Sequence, residues 1–324
     1  MQEVMKAKAI ELLANGTVSR VVGWTTGDFV YDVTPAIFET AEEIEKDFVY
    51  NDFCAPNLSK YMIAASRKEG KTLVFLKPCD TYSFNQLLKE HRIWRDHVYV
   101  VGVECYGKVD ADKIRALGIS GITGIEADGF KLNISTIYGD KTVNKWDVIA
   151  ERCANCKSKK HVVYDELLGE DGEEEETDRF DMVAKLEAMT PDERYAFWQN
   201  ELSRCIRCNA CRNVCPACSC EVCVFDNPKS GVQNKAAANS FEENLFHIIR
   251  AFHVAGRCTD CGECSRVCPQ HIPLHLLNRK FIKDINELYG DFQAGADTET
   301  RAPLNTYKTG DCEPGIVYER GGNA

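Results

Sequence analysis

Residues 205–216 read CIRCNACRNVCP and residues 258–269 read CTDCGECSRVCP, so the pattern C-x2-C-x2-C-x3-C-P occurs twice. This spacing is typical of 4Fe-4S clusters, and in paired runs the fourth cysteine of each run binds the cluster of the other. The sequence therefore predicts one cluster on Cys205, Cys208, Cys211 and Cys268. It predicts a second cluster on Cys258, Cys261, Cys264 and Cys215.

Zinc and disulfides are the other common uses of paired cysteines. Structural zinc sites use two separated C-x2-C pairs rather than a triplet followed by Cys-Pro. A disulfide framework is typical of small secreted chains, whereas this chain has 324 residues and no signal-peptide pattern at Met1. We therefore expect reduced thiolates, iron-sulfur clusters and a cytoplasmic protein.

The composition argues against two classes of protein. The formal net charge is -11, whereas nucleic-acid binding depends on Lys and Arg that neutralise phosphates. No apolar run approaches the roughly 18 residues that a membrane span needs. We therefore expect no nucleic-acid partner and no membrane span.

The first 169 residues alternate between strand and helix patterns. Apolar runs predict strands at 21–25, 29–33, 72–76 and 98–103. Helical spacing predicts helices at 2–14, 41–48, 58–68, 84–91 and 111–117. Such alternation predicts an α/β domain with a mixed, partly parallel sheet.

The second half has a different pattern. Residues 170–178 read EDGEEEETD, which predicts an acidic linker, and residues 179–290 are predicted to form a mostly helical, two-cluster ferredoxin-like domain. Two apolar helix faces are predicted there, one of Phe241, Leu245, Ile248, Ile249 and Phe252 and one of Leu277, Phe281, Ile285 and Leu288. Residues 291–324 lack periodicity and are predicted to be an irregular surface tail.

Four of the five cysteines in the α/β half form another candidate set. Cys79 and Cys105 each follow a predicted strand, and Cys153 and Cys156 form the pair CANC. Since the carboxyl ends of parallel strands meet at one sheet edge, we expect these thiols to converge on a third 4Fe-4S site. For any one of them, a buried small apolar residue is the alternative.

The elements KPCD, GVEC and CANC, with YDELLGE at 164–170, resemble the beta subunits of deazaflavin-coenzyme-reducing hydrogenases and their formate dehydrogenase relatives. The resemblance covers about residues 1–170 and implies that Cys79, Cys105, Cys153 and Cys156 hold a 4Fe-4S cluster beside an FAD. FAD is thus a candidate cofactor, although no G-x-G-x-x-G pattern occurs and no residue is assigned to it. The second half resembles two-cluster electron-transfer subunits of anaerobes.

The remaining cysteines and histidines allow weaker predictions. Cys218, Cys220 and Cys223, with Cys54, are candidates for a further cluster or a zinc ion, or else they pack near the clusters. Cys312 is predicted to be a free thiol. His247 and His253 are predicted to be surface or packing residues, and His271 to donate a hydrogen bond to cluster sulfur.

Together these features predict an iron-sulfur electron-transfer subunit of a larger anaerobic oxidoreductase complex, whose partners are other protein subunits. It would relay single electrons between a flavin, ferredoxin or reduced-coenzyme donor and a catalytic partner. Hydrogenase, formate dehydrogenase, heterodisulfide reductase and methylenetetrahydrofolate reductase types are the candidates for that partner. The alternative is an FAD-containing catalytic subunit that itself oxidises or reduces a deazaflavin or nicotinamide coenzyme.

Overall fold

The computed structural model describes residues 1–173, 176–227, 229 and 240–306. Cys312 and the predicted tail beyond residue 306 lie outside the described residues. None of the described helices combines the length and apolar character that a membrane crossing requires.

A five-stranded mixed sheet is the centre of the first half. Its strands are β1 (Arg20–Thr26), β2 (Val33–Phe38), β3 (Thr72–Leu76), β4 (Val98–Val103) and β8 (Glu166–Leu168), in the order β2-β1-β3-β4-β8. β2 pairs antiparallel with β1, and the other pairings are parallel. Val22, Trp24, Phe75 and Val101 are buried in its core. The predicted mixed, partly parallel sheet is confirmed.

Helices pack around this sheet. They are α1 (Gln2–Ala14), α2 (Ala41–Asp47), α3 (Met62–Ala65), α4 (Pro78–Lys89) and α5 (Ala111–Ala116). α4 begins six residues before the predicted start at 84, because Pro78 fits the first helical position and Asp80 accepts a hydrogen bond from the Lys77 backbone N–H. Cys79 therefore lies in the first turn of a helix.

The strand predicted at 29–33 is wrong. Residue 29 belongs to a turn in which the Asp32 N–H donates to the Phe29 carbonyl, and the Phe29 side chain is exposed. β2 begins only at Val33, where pairing with Thr26 of β1 starts.

A small antiparallel sheet, which was not predicted from the sequence, follows α5. It consists of β5 (Ile122–Asp128), β6 (Lys131–Thr136) and β7 (Lys141–Asn144). Leu132 and Ile134 are buried with Ile114 in a second core. Two short helices, α6 (Lys145–Val148) and α7 (Glu151–Ala154), then lead the chain back to the main sheet.

The described residues between 176 and 290 form helices joined by loops. These helices are α8 (Asp181–Ala188), α9 (Pro191–Ser203), α10 (Ala210–Val214), α11 (Ser240–Val254), α12 (Glu263–Arg266) and α13 (His275–Tyr289). α9 begins with a capping box, in which the Thr190 hydroxyl accepts from the Glu193 N–H and the Glu193 carboxylate accepts from the Thr190 N–H.

The predicted buried faces of α11 and α13 are partly wrong. On α11, Phe241 and Phe252 are 70% and 61% exposed, whereas Phe246, His247 and Arg250 are buried. On α13, Leu288 is exposed, and Ile282 and Ile285 are the buried apolar residues of its second half. The face of α11 that packs inward contacts cysteine loops, so polar side chains replace part of the expected apolar stripe.

The first part of the predicted tail returns to the α/β half. Ala294 is buried, and a Cβ at Gly295, where φ is +76°, would clash with the Tyr82 carbonyl oxygen. Lys89 Nζ on α4 donates to the Thr300 carbonyl at 2.6 Å. Residues 291–306 are thus packed against α4.

Candidate metal centres

The two cysteine runs adopt the same backbone conformation. In the first run the residues on either side of Cys208, Arg207 and Asn209, have φ of +56° and +61°. In the second run the residues on either side of Cys261, Asp260 and Gly262, have φ of +61° and +67°. Left-handed φ is uncommon outside glycine. Its recurrence at equivalent positions indicates two loops built to curve around similar groups.

A short helix follows each loop and carries its third cysteine. Cys211 lies on α10 and Cys264 on α12, and both side chains are buried. The Arg207 N–H donates to Cys205 Sγ at 3.4 Å, so the loop also supplies a backbone donor to a thiol. Such backbone N–H groups favour the thiolate form that binds metals.

The first predicted ligand set is brought together in one small cavity. It is lined by thiols from both runs together with the apolar side chains of Phe246, Ile272 and Leu274; the thiols are those of Cys205, Cys208, Cys211 and Cys268. Cys268 of the second run therefore shares this cavity with three cysteines of the first run. Burial raises the pKa of the Cys205 thiol to about 12.

The second predicted ligand set is also brought together. Burial is the largest effect on the thiols of Cys258, Cys261 and Cys264 and raises their pKa values, and nearby Cys215 raises all three further. Every cysteine among the described residues is a free thiol. Several buried thiols facing one another without disulfides fit a bound metal group, because metal coordination deprotonates such thiols.

The third predicted set lines a cavity at the carboxyl ends of the central strands. Cys79 comes from the first turn of α4, Cys105 follows β4, Cys153 lies on α7, and Cys156 follows it. Burial raises the pKa of the Cys156 thiol to about 11, and Cys153 contributes to this rise. Cys261 of the second set lines the same cavity. The second and third sets are therefore neighbours.

A buried arginine lies at each junction between sets. Burial alone would lower the pKa of Arg250 on α11, but the thiolates of Cys264, Cys215 and Cys211 raise it. Its Nε and Nη1 atoms have no hydrogen-bond partner among the described residues. Arg250 thus faces cysteines of both the first and the second set.

Arg152 occupies the corresponding place between the second and third sets. Its Nη1 donates to the Cys261 carbonyl at 3.0 Å and pairs with buried Glu263, and its Nη2 donates to the Ala55 carbonyl at 2.5 Å. The pKa of Arg152 would fall on burial alone, but Glu263 and then Cys153 raise it. Neither arginine was predicted from the sequence, because no spacing rule distinguishes them from surface arginines.

His247, predicted to be a surface or packing residue, contacts a predicted ligand. Its Nε2 lies 3.2 Å from Cys205 Sγ. Burial lowers its pKa to about 3, so the imidazole is neutral near pH 7. A Glu243 carboxylate oxygen lies beside these two atoms. In the described part of the chain, these three are the one group of potential metal ligands whose atoms all lie within 4.8 Å of one another.

His271, predicted to donate a hydrogen bond to cluster sulfur, has an exposed imidazole whose Nδ1 lies 3.7 Å from an Asp112 carboxylate oxygen. Its backbone N–H donates to the carbonyl of Cys268 at 3.0 Å. His253 is exposed, as predicted.

The structure does not bring Cys54 together with Cys218, Cys220 and Cys223. Cys54 is fully buried in the core of the main sheet, where the Asn51 N–H donates to its Sγ at 3.2 Å. The other three cysteines line an open cleft of about 770 Å³. A hydrogen bond with the Cys218 thiol lowers the pKa of Cys215, so Cys218 directly borders the second set.

Another open cavity, of about 680 Å³, lies beside Cys105. Aromatic side chains line it, and Phe130 stacks on Trp146 with ring centroids 6.0 Å apart. Lys108 Nζ lies 4.0 Å from the centroid of the Tyr50 ring on the same wall. The cavity therefore combines flat apolar surfaces with a cation next to the third cysteine set.

Comparison with known proteins supports two parts of this description. Residues 201–272 match the family model described as a 4Fe-4S dicluster domain, which spans both cysteine runs. The chain is 24% identical over 337 residues to the F420-dependent formate dehydrogenase subunit beta of Methanocaldococcus jannaschii, with 86% of this chain and 88% of the relative covered. It is 23% identical over 282 residues to the F420-dependent formate dehydrogenase 1 subunit beta of Methanococcus maripaludis, with 66% and 71% covered.

Among solved structures, one chain of the F420-reducing [NiFe] hydrogenase complex from Methanosarcina barkeri aligns with 19% identity and a TM-score of 0.39. The alignment covers 48% of this chain and 59% of that chain, less than two thirds, and at this TM-score it supports no conclusion. The motif-based resemblance predicted above is confirmed by the sequence relatives: this chain is similar to beta subunits of F420-dependent formate dehydrogenases and carries a 4Fe-4S dicluster domain.

Proposed function

We propose that this chain is an iron-sulfur electron-transfer subunit of a larger oxidoreductase complex. The observation that carries the proposal is the convergence of cysteines from distant parts of the chain into three adjacent sets. Cys261 of the second set lines the cavity of the third, and Arg250 faces the first and second sets. Adjacent sets favour transfer of electrons from one end of the series to the other.

The ligand assignments that we propose are those predicted from the sequence for these three sets. When bound, 4Fe-4S clusters supply one-electron chemistry over a range of about -700 to +450 mV, tuned by hydrogen bonds, charge and exposure. The chain supplies thiolates, buries them among Phe246, Ile272 and Leu274, and places donors such as the Arg207 N–H on the sulfurs. Cys54 is not part of the proposed ligands, because it lies in the α/β core.

The identity of the partner rests on similarity. The relatives are named as subunits of F420-dependent formate dehydrogenases. This supports a catalytic partner of the formate dehydrogenase type and a redox coenzyme as the source or acceptor of the electrons.

The second candidate function is an FAD-containing catalytic subunit, and one observation favours it. The aromatic cavity beside Cys105 is large and lies next to the third cysteine set. If FAD binds there, the purified protein will show flavin absorbance that bleaches when a reduced deazaflavin or nicotinamide is added. Purified protein that contains iron but no flavin would exclude this second candidate and leave electron transfer as the proposed function.

Metal analysis of anaerobically purified protein tests the main proposal. We expect about four irons and four sulfides per cluster, and an EPR signal after reduction. Cys268→Ser should remove the contribution of one cluster from the first set, and Cys105→Ser should remove that of the third. Cys54→Ser is the matched control and should keep the full iron content. Zinc without iron in the wild-type protein would contradict the proposal.

A further inference from the structure

A basic cleft lies where the α/β half meets the first cysteine run. Its walls come from the region of α3, from the loop after Cys215, and from the end of α11. Among the described residues, seven lysine and arginine side chains and two carboxylates line it. This local excess of positive charge contrasts with the net charge of -11 for the chain.

Some of these cations are neutralised by neighbouring carboxylates. Arg92 pairs with Glu221 at 3.5 Å, Arg212 with Asp226 at 2.7 Å, and Arg257 with Glu90 at 2.5 Å. These pairs hold the walls together and contribute little net field.

The other four cations have no carboxylate partner in the described part of the chain: Lys60, Arg67, Lys68 and Arg250. Lys60 Nζ donates to the backbone carbonyls of Arg212 and Cys218 at 3.1 and 3.0 Å. Arg67 and Lys68 are exposed at the rim, whereas Arg250 is only 3% exposed. The positive charge that no described carboxylate pairs with therefore runs from the surface to the cysteine sets.

The floor of the cleft leads directly to the proposed second cluster. Cys218 lines the cleft, and its backbone N–H donates to the carbonyl of Cys215, which belongs to that set, at 3.1 Å. Apolar side chains such as Ile63, Val254 and Phe225 lie between the charges. An apolar floor with a charged rim is the usual composition of a protein docking surface.

We propose that this cleft is the docking surface for an acidic one-electron carrier protein, which exchanges electrons with the second cysteine set. The proposal rests on the proposed function, since it requires a cluster on that set. In the exchange the carrier is oxidised by one electron and the cluster is reduced by one, or the reverse, and no covalent bond changes. Opposite charges on the two surfaces steer such encounters and raise their rate.

Stopped-flow kinetics with a reduced, acidic plant-type ferredoxin as the probe test the proposal under anaerobic conditions. In the reconstituted full chain, the double variant Arg67→Glu/Lys68→Glu should accept electrons at least about tenfold more slowly than wild type at low ionic strength. The difference should shrink near 1 M salt, where the Debye length falls to about 3 Å. The matched control Lys131→Glu/Lys141→Glu makes the same change in net charge on the small sheet, away from the cleft, and should keep the wild-type rate.

Methyl viologen radical separates a failure of docking from a failure of the proposed function, because this small cationic reductant needs no acidic docking partner. If it reduces wild type and both variants, the clusters are present. The docking surface would then be refuted if ferredoxin does not reduce the wild type, or if it reduces Arg67→Glu/Lys68→Glu as fast as the wild type. Either result would leave the proposed function standing. Protein without iron that viologen cannot reduce would refute both.

Inorganic pyrophosphate tests a different occupant of the same cleft. At matched ionic strength it should slow electron transfer from ferredoxin no more than potassium chloride does. Specific inhibition by pyrophosphate that is lost in Arg67→Glu/Lys68→Glu would assign the cleft to a small phosphate ligand and overturn protein docking.

Discussion

Arg250 is a permanent cation buried among thiols, and this position has an energetic cost. Removing a guanidinium from water is unfavourable unless nearby negative charge compensates for it. The sulfurs of Cys264, Cys215 and Cys211 are the groups that oppose the effect of burial on the pKa of Arg250, and its Nε and Nη1 atoms have no hydrogen-bond partner among the described residues. In the proposed holoprotein, a fixed positive charge at this point stabilises the form of the clusters that carries one more electron.

Replacing Arg250 should therefore shift reduction potentials. We expect Arg250→Leu to lower the midpoint potential of at least one of the two neighbouring clusters, because the reduced state loses a stabilising charge. Arg250→Lys keeps the charge and should show a smaller shift. Redox titration followed by EPR measures both, and iron analysis must first show that the clusters remain. Equal potentials in wild type and the leucine variant would contradict this role.

His247 lies on the same buried face of α11 but is neutral, so we expect its replacement to change the reduction potential of one cluster only. Its Nε2 is close enough to Cys205 Sγ, at 3.2 Å, to form a hydrogen bond with a thiolate. His247→Phe should lower the potential of the first cluster and spare the third, whose cavity no α11 residue lines in the described part of the chain. Redox titration monitored by EPR distinguishes the clusters, and a uniform shift of all signals would argue against a local hydrogen bond.

At the scale of elements, the paired loops explain which residue follows the central cysteine of each run, Cys208 or Cys261. Asn209 and Gly262 occupy equivalent left-handed positions, and these are the two residue types that most readily adopt that conformation. Gly262 has an additional constraint, because a Cβ there would lie 2.7 Å from Arg152 Cβ. The loop conformation and the junction with the third set are therefore coupled at one glycine.

Gly262→Ala should destabilise the protein by more than the about 1–2 kcal/mol expected for a left-handed alanine, since Arg152 must also move. Gly118→Ala is the matched control: φ there is +78°, and no heavy atom lies within 4 Å of the place that a Cβ would take. Apparent melting temperatures under anaerobic conditions compare the two variants. Equal losses would show that the contact with Arg152 has no energetic weight.

The sequence predicted some elements well and others poorly, for physical reasons. The cysteine spacing encodes ligand geometry within one short loop, so the motif predicted that Cys268 lies beside the cysteines of the first run, whose cavity it lines. The small sheet was missed although Leu132 and Ile134 alternate with polar residues, which is a strand signal. The buried face of α11 could not be predicted from apolar periodicity, because His247 and Arg250 point inward toward thiols rather than toward an apolar core.

At the scale of the whole molecule, Arg152 joins the two halves. It reaches from α7 in the α/β half to the Cys261 carbonyl and to Glu263, and it also binds the Ala55 carbonyl. Arg266 and Arg152 outweigh the effect of burial on Glu263 and lower its pKa to about 2, so the carboxylate is ionised near pH 7. A charged network is thus enclosed at the interface of the second and third sets.

Arg152→Met should cost about 1–3 kcal/mol of stability, because it leaves Glu263 buried with Arg266 as its remaining charged partner. Arg115→Met removes an exposed pair with Asp112 and should cost at most about 1 kcal/mol. Denaturant midpoints of the metal-free chains under reducing conditions measure the difference. If both variants matched wild type, the contacts of Arg152 would not hold the halves together.

The proposed exchange of the fourth cysteine between the two runs would have a consequence for biosynthesis. During translation the first run leaves the ribosome well before Cys268 does. The first three thiols of that set are therefore exposed to oxygen until their fourth ligand, Cys268, has been made. The fourth ligand of the second set, Cys215, has already been made when the second run is translated. Loading of iron in the cell should therefore begin at the later motif, and a nascent chain halted just short of residue 268 would be most vulnerable at the earlier one.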